Sequence, residues 1–324
     1  MPRADGLSPA WDRPVGMAQG GPVSAEGSSD VPPAAACIGA ASCPVAWVWM
    51  EEAPIADEPD ASMCNTLAPP RTARMEQRMR RRAAAQRAAL PRLFAQLLSR
   101  CADTDRTGSD SDPTLARPST HALTLIHSRL GAPRLPWEGP AAEEARRAGL
   151  RPEETHVSFT HDGGRMLAVA ASAPRLRGIG VDLVHLERLD RAQDHGRLLR
   201  FARQFMSPEE LDGFLRACAG ETEEGVRVRV AAHFSLMEAA SKALGTGLRL
   251  GGGFGRPGSV SKRHLGVASL HPMEFLLGPE AAARCQALGA KRAEGHWSHD
   301  GVFLSSLVLL WGDAPAETPL SAPP

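Results

Sequence analysis

The chain has no tyrosine, no Cys-x-x-Cys pair and no net charge, its 37 Lys and Arg being matched by 37 Asp and Glu over 324 residues. Each absence excludes something. The balanced charge argues against a general nucleic-acid binder, which carries a basic excess. The six cysteines, Cys37, Cys43, Cys64, Cys101, Cys218 and Cys285, are scattered. That suits neither a zinc framework nor a disulfide scaffold, and points to a reducing compartment. No run approaches the roughly 18 apolar residues a membrane helix needs. The N-terminus lacks a charged-then-apolar signal pattern, and its Asp5, Asp12, Glu26 and Asp30 are out of character for a transit peptide. A cytoplasmic protein with no membrane attachment is expected, organellar targeting staying open. Pro, Ala, Gly and Ser crowd residues 1–70, which read as a disordered extension, and the tail 314–324 reads likewise. The remaining length holds one large domain or two modest ones with ample core.

What is present is organised around Gly178 to Gly247. Gly178-Ile-Gly-Val-Asp-Leu-Val184 is a short apolar run broken by one acid, a buried strand with a carboxylate near its end. His233-Phe-Ser-Leu-Met-Glu-Ala-Ala-Ser-Lys-Ala-Leu-Gly-Thr-Gly247 reads as a helix stopped by Gly245 and Gly247. Glu238 and Lys242 are four residues apart on one helix face, a spacing that by itself most often means a surface ion pair. Together with Asp182, an acid at the end of a strand that is as suited to capping a turn, they compose a set able to hold a divalent cation and a phosphate.

Before this core, Cys43-Pro-Val-Ala-Trp-Val-Trp-Met50 alternates as a first strand would. Residues 71–100 are rich in Ala, Arg and Met and carry a leucine stripe, predicting a helix. Its Arg78, Arg81 and Arg82 are either a solvated basic face or phosphate contacts. Residues 103–118 read as a linker and 140–149 as a short helix. Thr155 to His161 and Met166 to Ala171 form strands around Asp162-Gly-Gly164, a hairpin turn leading into the Gly178 strand. Leu186 to Phe205 reads as helical, Ser207-Pro-Glu-Glu210 starts another helix, and Glu221 to Gly225 is an acidic break before a helix over 226–244. His296 to Gly301 is expected to be a turn between strands, the last of them over 302–311.

The blocks Gly178 to Leu189, Arg200 to Leu211 and Phe234 to Gly247, in this order, resemble the 4′-phosphopantetheinyl transferases, with local wording nearest to the short holo-acyl-carrier-protein synthases. Val157-Ser-Phe-Thr-His161 resembles the Ser-x-Ser-His motif of the larger, two-lobed members, Thr160 keeping the hydroxyl of the second serine. The resemblance implies an α+β fold of two pseudo-symmetric lobes, each a small antiparallel sheet packed with a long helix, divided as 71–176 and 177–313. It implies transfer of 4′-phosphopantetheine from coenzyme A to a serine of an apo acyl or peptidyl carrier protein, as in fatty acid biosynthesis, by a monomer. Asp182 and Glu238 would hold Mg²⁺, Glu238 and Lys242 would be catalytic, and His161 and Lys242 would bind coenzyme A.

Three positions depart from the family pattern. Val184 stands where the larger members have a second acid, and His185 where the short synthases have Glu. Met237 stands where Lys commonly precedes the helical Glu. The loss of that lysine leaves a second reading in play, a non-catalytic relative that binds coenzyme A or a carrier protein.

Overall fold

Gly163 and Gly164 sit at φ 55° and 73°, the left-handed region that a two-residue hairpin turn demands and that glycine enters without steric penalty. The hairpin they close is half of a unit that occurs twice. The structure is a computed structural model and describes residues 43, 45–51, 71–105, 126–127, 133–134, 140–147, 150–151, 153–190, 195–249, 260–261 and 264–313. The expected disorder of 1–70 outside the first strand, and of 314–324, lies outside the described residues, as does most of the 103–118 linker.

The strands are β1 (Val45–Glu51), β2 (Ile126–His127), β3 (Pro133–Arg134), β4 (Thr155–Asp162), β5 (Arg165–Ser172), β6 (Leu176–His185), β7 (Leu248–Arg249), β8 (Val260–Ser261), β9 (Leu265–Leu270), β10 (Met273–Leu277), β11 (Ala290–His299) and β12 (Phe303–Gly312). The helices are α1 (Arg71–Asp105), α2 (Pro140–Arg147), α3 (Glu187–Asp190), α4 (His195–Phe205), α5 (Pro208–Ala217), α6 (Glu223–Ala243) and α7 (Pro279–Leu288). None of the described helices is long and apolar enough to cross a membrane.

Each half runs strand, long helix, hairpin. In the first, β1 pairs with β5 and β5 with β4; in the second, β6 pairs with β12 and β12 with β11, every pairing antiparallel. The first strand of each unit thus meets the last, and α1 or α6 covers the sheet. This is the α+β architecture of small antiparallel sheets with long helices. The hairpin tips repeat in sequence as well: Thr160-His-Asp-Gly163 recurs as Ser298-His-Asp-Gly301.

The repeat corrects the C-terminal expectation. His296 to His299 belong to β11, and only Asp300 to Val302 turn. The Asp300 carboxylate accepts from the Val302 and Phe303 amides and closes that turn. α6 also begins earlier than expected, at Glu223, because Thr222 caps it through its hydroxyl to the Gly225 amide. The expected 186–205 helix is two pieces, α3 and α4, with 191–194 outside the described residues. Ser207 and Glu210 form the capping box expected of α5.

α1 and the β1–β5–β4 sheet enclose one core, with Leu90, Leu93, Phe94 and Leu97 against Ala46, Val48 and Ala168. α6 lies deeper on its sheet. A Cβ at Gly180 would stand 1.8 Å from the Ala239 carbonyl oxygen, and one at Gly178 would stand 2.2 Å from that of Ala243. No side chain fits there, so the glycines of β6 set the depth of the helix.

The two sheets meet edge to edge through side chains. Ser158 Oγ, Thr160 Oγ1 and Asp162 Oδ2 on β4 accept the amides of Val181, Leu183 and His185 on β6 at 3.1, 3.2 and 2.9 Å. Alternate residues of a strand share a face, so three side chains in a row reach the outward amides of the opposing strand.

Candidate active site

Asp182 arrives on β6 opposite Ser306 of β12, on the face that carries Gly178 and Gly180 and therefore turned toward α6. It is 7% exposed. Because the glycines let α6 sink onto this strand, the helix brings Glu238 and Lys242 down to the same level. Lys242 Nζ donates to Asp182 Oδ1 at 2.7 Å and to the Val181 carbonyl at 2.9 Å. The i, i+4 spacing suggested Glu238 as the partner of Lys242. The ammonium instead bridges to a carboxylate sixty positions earlier in the chain. With the carboxylate buried, removing the ammonium leaves a poorly solvated charge, so the pair costs more to break than an exposed one.

Glu238 answers whether the two acids share a neighbourhood. Burial first, and then the charge of Asp182, push its carboxyl from 4.5 up to about 7, with Lys242 pulling the other way. Two carboxylates thus face one ammonium, and the surplus of negative charge is what a hard dication would neutralise. Among the described residues no group of three or more His, Cys, Asp or Glu gathers as a complete metal cage. Two carboxylates with open coordination positions nonetheless suit Mg²⁺, which keeps waters and takes phosphate oxygens.

The other wall comes from the first half. Thr160 Oγ1 donates to Asp182 Oδ1 at 3.1 Å, and His161 follows it on β4. Burial holds the His161 imidazole down at about 4, helped by the positive charges of Arg82 and Lys242 and opposed by Asp162. Arg82 of α1 therefore looks onto the same corner, which singles it out of the three arginines considered. Arg81 instead buries Nη2 with no hydrogen-bond partner among the described residues, and the side chain of Arg78 lies outside them. Asp162, beyond His161, is paired with Arg188 of α3. The structure brings Asp182, Glu238, Lys242 and His161 to one seam between the two sheets.

A family model described as the 4′-phosphopantetheinyl transferase superfamily matches residues 178–295. A holo-[acyl-carrier-protein] synthase of Nitratidesulfovibrio vulgaris is 35% identical over 134 residues, which is 96% of its length and 41% of this chain. The chain belongs to the 4′-phosphopantetheinyl transferase superfamily. The holo-[acyl-carrier-protein] synthase of Halorhodospira halophila is 42% identical over 140 residues, 97% of its length and 42% of this chain. The crystal structure of the Neisseria meningitidis holo-[acyl-carrier-protein] synthase aligns with 29% identity and a TM-score of 0.33, covering 98% of that chain and 42% of this one.

Within this transferase the three departures fall in different places. Met237 is 0% exposed inside the core of the second half, packed among residues such as Phe205, Leu236 and Val267. Its side chain is a core element and no part of the carboxylate cluster. Val184 is also buried in that core. His185 stacks on Phe303 at 4.8 Å between ring centroids and reaches Glu187 at 3.5 Å. The residue that sequence reasoning passed over is Thr160, noted as a retained hydroxyl but not placed at the site. Its signal was its position immediately before His161 on a strand that must touch β6.

Proposed function

We propose that this transferase moves 4′-phosphopantetheine from coenzyme A to a serine hydroxyl of an apo carrier protein, with Mg²⁺ held by Asp182 and Glu238. The observation that carries the proposal is the Asp182–Lys242 pair at 2.7 Å beside a Glu238 carboxyl pushed up by burial and then by the charge of Asp182. The serine Oγ attacks the β-phosphorus of coenzyme A. The bond from that phosphorus to the bridging oxygen breaks, and adenosine 3′,5′-bisphosphate leaves with the electron pair. Bound Mg²⁺ would supply charge neutralisation on the pyrophosphate oxygens.

The remaining work falls to the chain. Lys242, tied to Asp182 and the Val181 carbonyl, is a fixed point cation for phosphate oxygens, so little reorganisation is needed as charge moves. Glu238 receives the serine proton, directly or through a water held against it. His161, neutral in the free protein because of burial and its cationic neighbours, anchors the nucleotide end beside Arg82. An arriving phosphate reverses the local charge and favours the protonated ring. Short-range positioning of this kind is the main contribution a protein makes to phosphoryl-type transfer.

The lobes divide at about residue 176, where the short link after β5 enters β6. We place the protein in the cytoplasm as a monomer, because the β4 edge already occupies the β6 edge within one chain, and among the described residues Cys218 and Cys285 are free thiols. The test is incubation with coenzyme A, Mg²⁺ and an apo acyl carrier protein, followed by intact mass. A gain of one phosphopantetheine, lost on chelation with EDTA, is expected. An unchanged carrier mass removes the enzymatic reading and leaves only a binding role.

A further inference from the structure

Thr160 occupies an unusual junction. Its oxygen accepts the Leu183 amide of β6 at 3.2 Å, and its hydroxyl reaches Asp182 Oδ1 at 3.1 Å. It is 4% exposed, so water does not compete for either bond. An amide has only a proton to give, so the Thr160 oxygen must act as acceptor toward Leu183. The single hydroxyl proton is thereby directed to Asp182. Lys242 donates to the same carboxylate oxygen. Both donors converge on Oδ1, and no hydrogen bond among the described residues ends on Oδ2. A carboxylate held by two donors at one oxygen has its plane and rotamer fixed and its other oxygen presented.

We propose that Thr160 is a positioning residue that sets the orientation of Asp182 from the opposite lobe, so that metal affinity in one lobe depends on this hydroxyl reaching across the β4–β6 seam. The inference rests on the reading of Asp182 as a metal ligand and adds the element that aims it. Partners that orient a metal ligand carry a large share of the affinity, and losing one typically weakens binding about 10- to 100-fold.

Ser158 provides the internal control. It makes the same bond across the same seam, accepting the Val181 amide at 3.1 Å, and has no recorded bond to Asp182. A role limited to holding the lobes together predicts equal effects at both positions; positioning predicts an effect at Thr160 alone.

The experiment measures Mn²⁺ binding to the full chain by electron paramagnetic resonance, with no substrate present and with circular dichroism as the check on folding. Thr160→Val is expected to weaken Mn²⁺ about 10- to 100-fold. Thr160→Ser, which keeps the hydroxyl, and Ser158→Ala are expected to stay near the unsubstituted affinity. Should Thr160→Val not fold, Thr160→Ala and Thr160→Ser form the same comparison. Asp182→Ala separates the two levels of inference. If it binds Mn²⁺ like the unsubstituted chain, the metal-ligand reading itself is lost. If it abolishes binding while Thr160→Val and Thr160→Ala leave it intact, only the positioning role is overturned. Equal weakening by the Thr160 and Ser158 variants also overturns it.

Discussion

The two halves share one strand, helix and hairpin order, yet they seat their long helices differently. The hairpin registers align them residue by residue. His161 faces Met166, which faces Met50, while His299 faces Leu304, which faces Val184. Met50 therefore corresponds to Val184, Val48 to Asp182 and Ala46 to Gly180. In the first half the strand offers methyl groups and an isopropyl to α1, and the interface is an ordinary apolar core. In the second half glycine replaces alanine, the helix sinks, and the position of Val48 becomes a carboxylate within reach of Lys242. The comparison teaches that the proposed catalytic cluster requires two changes at once: room for the helix and an acid for it to meet. The first half supplies neither, and gives instead its edge strand, with Thr160 and His161, to complete the site of the second.

The largest effect should come from removing the acid that distinguishes the halves. Asp182→Ala is expected to reduce transfer by about three orders of magnitude, about 4 kcal/mol of transition-state stabilisation, with an unchanged circular dichroism spectrum. Carrier-protein mass after a fixed time measures it, and full activity in this variant would break the metal assignment.

Next is the acid pair itself. A carboxyl raised from 4.5 to about 7 is favoured in its protonated form by the fold. Metal-free stability from Glu238 is thus present below 4.5 and is lost as pH rises toward 7. At about 1.4 kcal/mol per unit the loss is about 3 kcal/mol. His161 has the opposite sign: its lowered value of about 4 makes its neutral form the favoured one, so stability is lost as pH falls from 6.5. The two trends oppose each other in the unsubstituted chain, and Glu238→Gln isolates one. Urea unfolding without divalent cation should show this variant more stable than the parent by about 3 kcal/mol at pH 7.5, the gain vanishing at pH 4.5. A gain that is independent of pH would show that burial and the charge of Asp182 do not act on Glu238.

Exchanging the helix-seating residues probes the geometry directly. Gly180→Ala must move α6 and is expected to lower stability by about 1–3 kcal/mol and to remove most transfer activity. Ala46→Gly, at the equivalent place in the first half, should lower stability by about 0.5–1 kcal/mol and leave transfer intact. Equal loss of activity in both would mean that helix depth is not what separates the halves. The smallest effect is expected at His161. His161→Ala should raise KM for coenzyme A about tenfold, about 1.4 kcal/mol, with little change in kcat, since its proposed contact is with the nucleotide end and not the reacting phosphorus.

Much of this was legible from short stretches. The Asp182 strand, the Glu238 helix, the Gly163–Gly164 turn and the Ser207 cap are local patterns in which a few residues dictate the backbone. What escaped were features set by distance along the chain. Lys242 was read with its helical neighbour because spacing on a helix is visible in sequence, whereas a strand sixty residues away is not. β11 was expected only as a strand without bounds ahead of a turn, because it is an edge strand whose exposed Lys291 and Arg292 and half-buried centre blur the alternation. Its Ser-His-Asp-Gly ending also resembles a loop. The matching Thr-His-Asp-Gly ending at Thr160 was read correctly only because a clean strand preceded it. Met237 looked like a missing cation while its neighbours were known only by position; its burial shows a core residue. α7 left no clear signal, since a run of small residues after Pro279 has little amphipathic contrast.

The seam between β4 and β6 has one more consequence. Its rungs are hydroxyl and carboxylate oxygens at every second residue, in place of the uniform backbone groups of an ordinary ladder. A backbone ladder reads the same after sliding two residues, but this one does not: a two-residue slip carries Thr160 to the Val181 amide and Asp162 to that of Leu183. His161 would then move by about 6.6 Å along the strand, and Asp182 would face a second carboxylate instead of a hydroxyl. Repulsion between those acids makes that slip self-rejecting, so the joint works as a ruler that resists sliding in this direction.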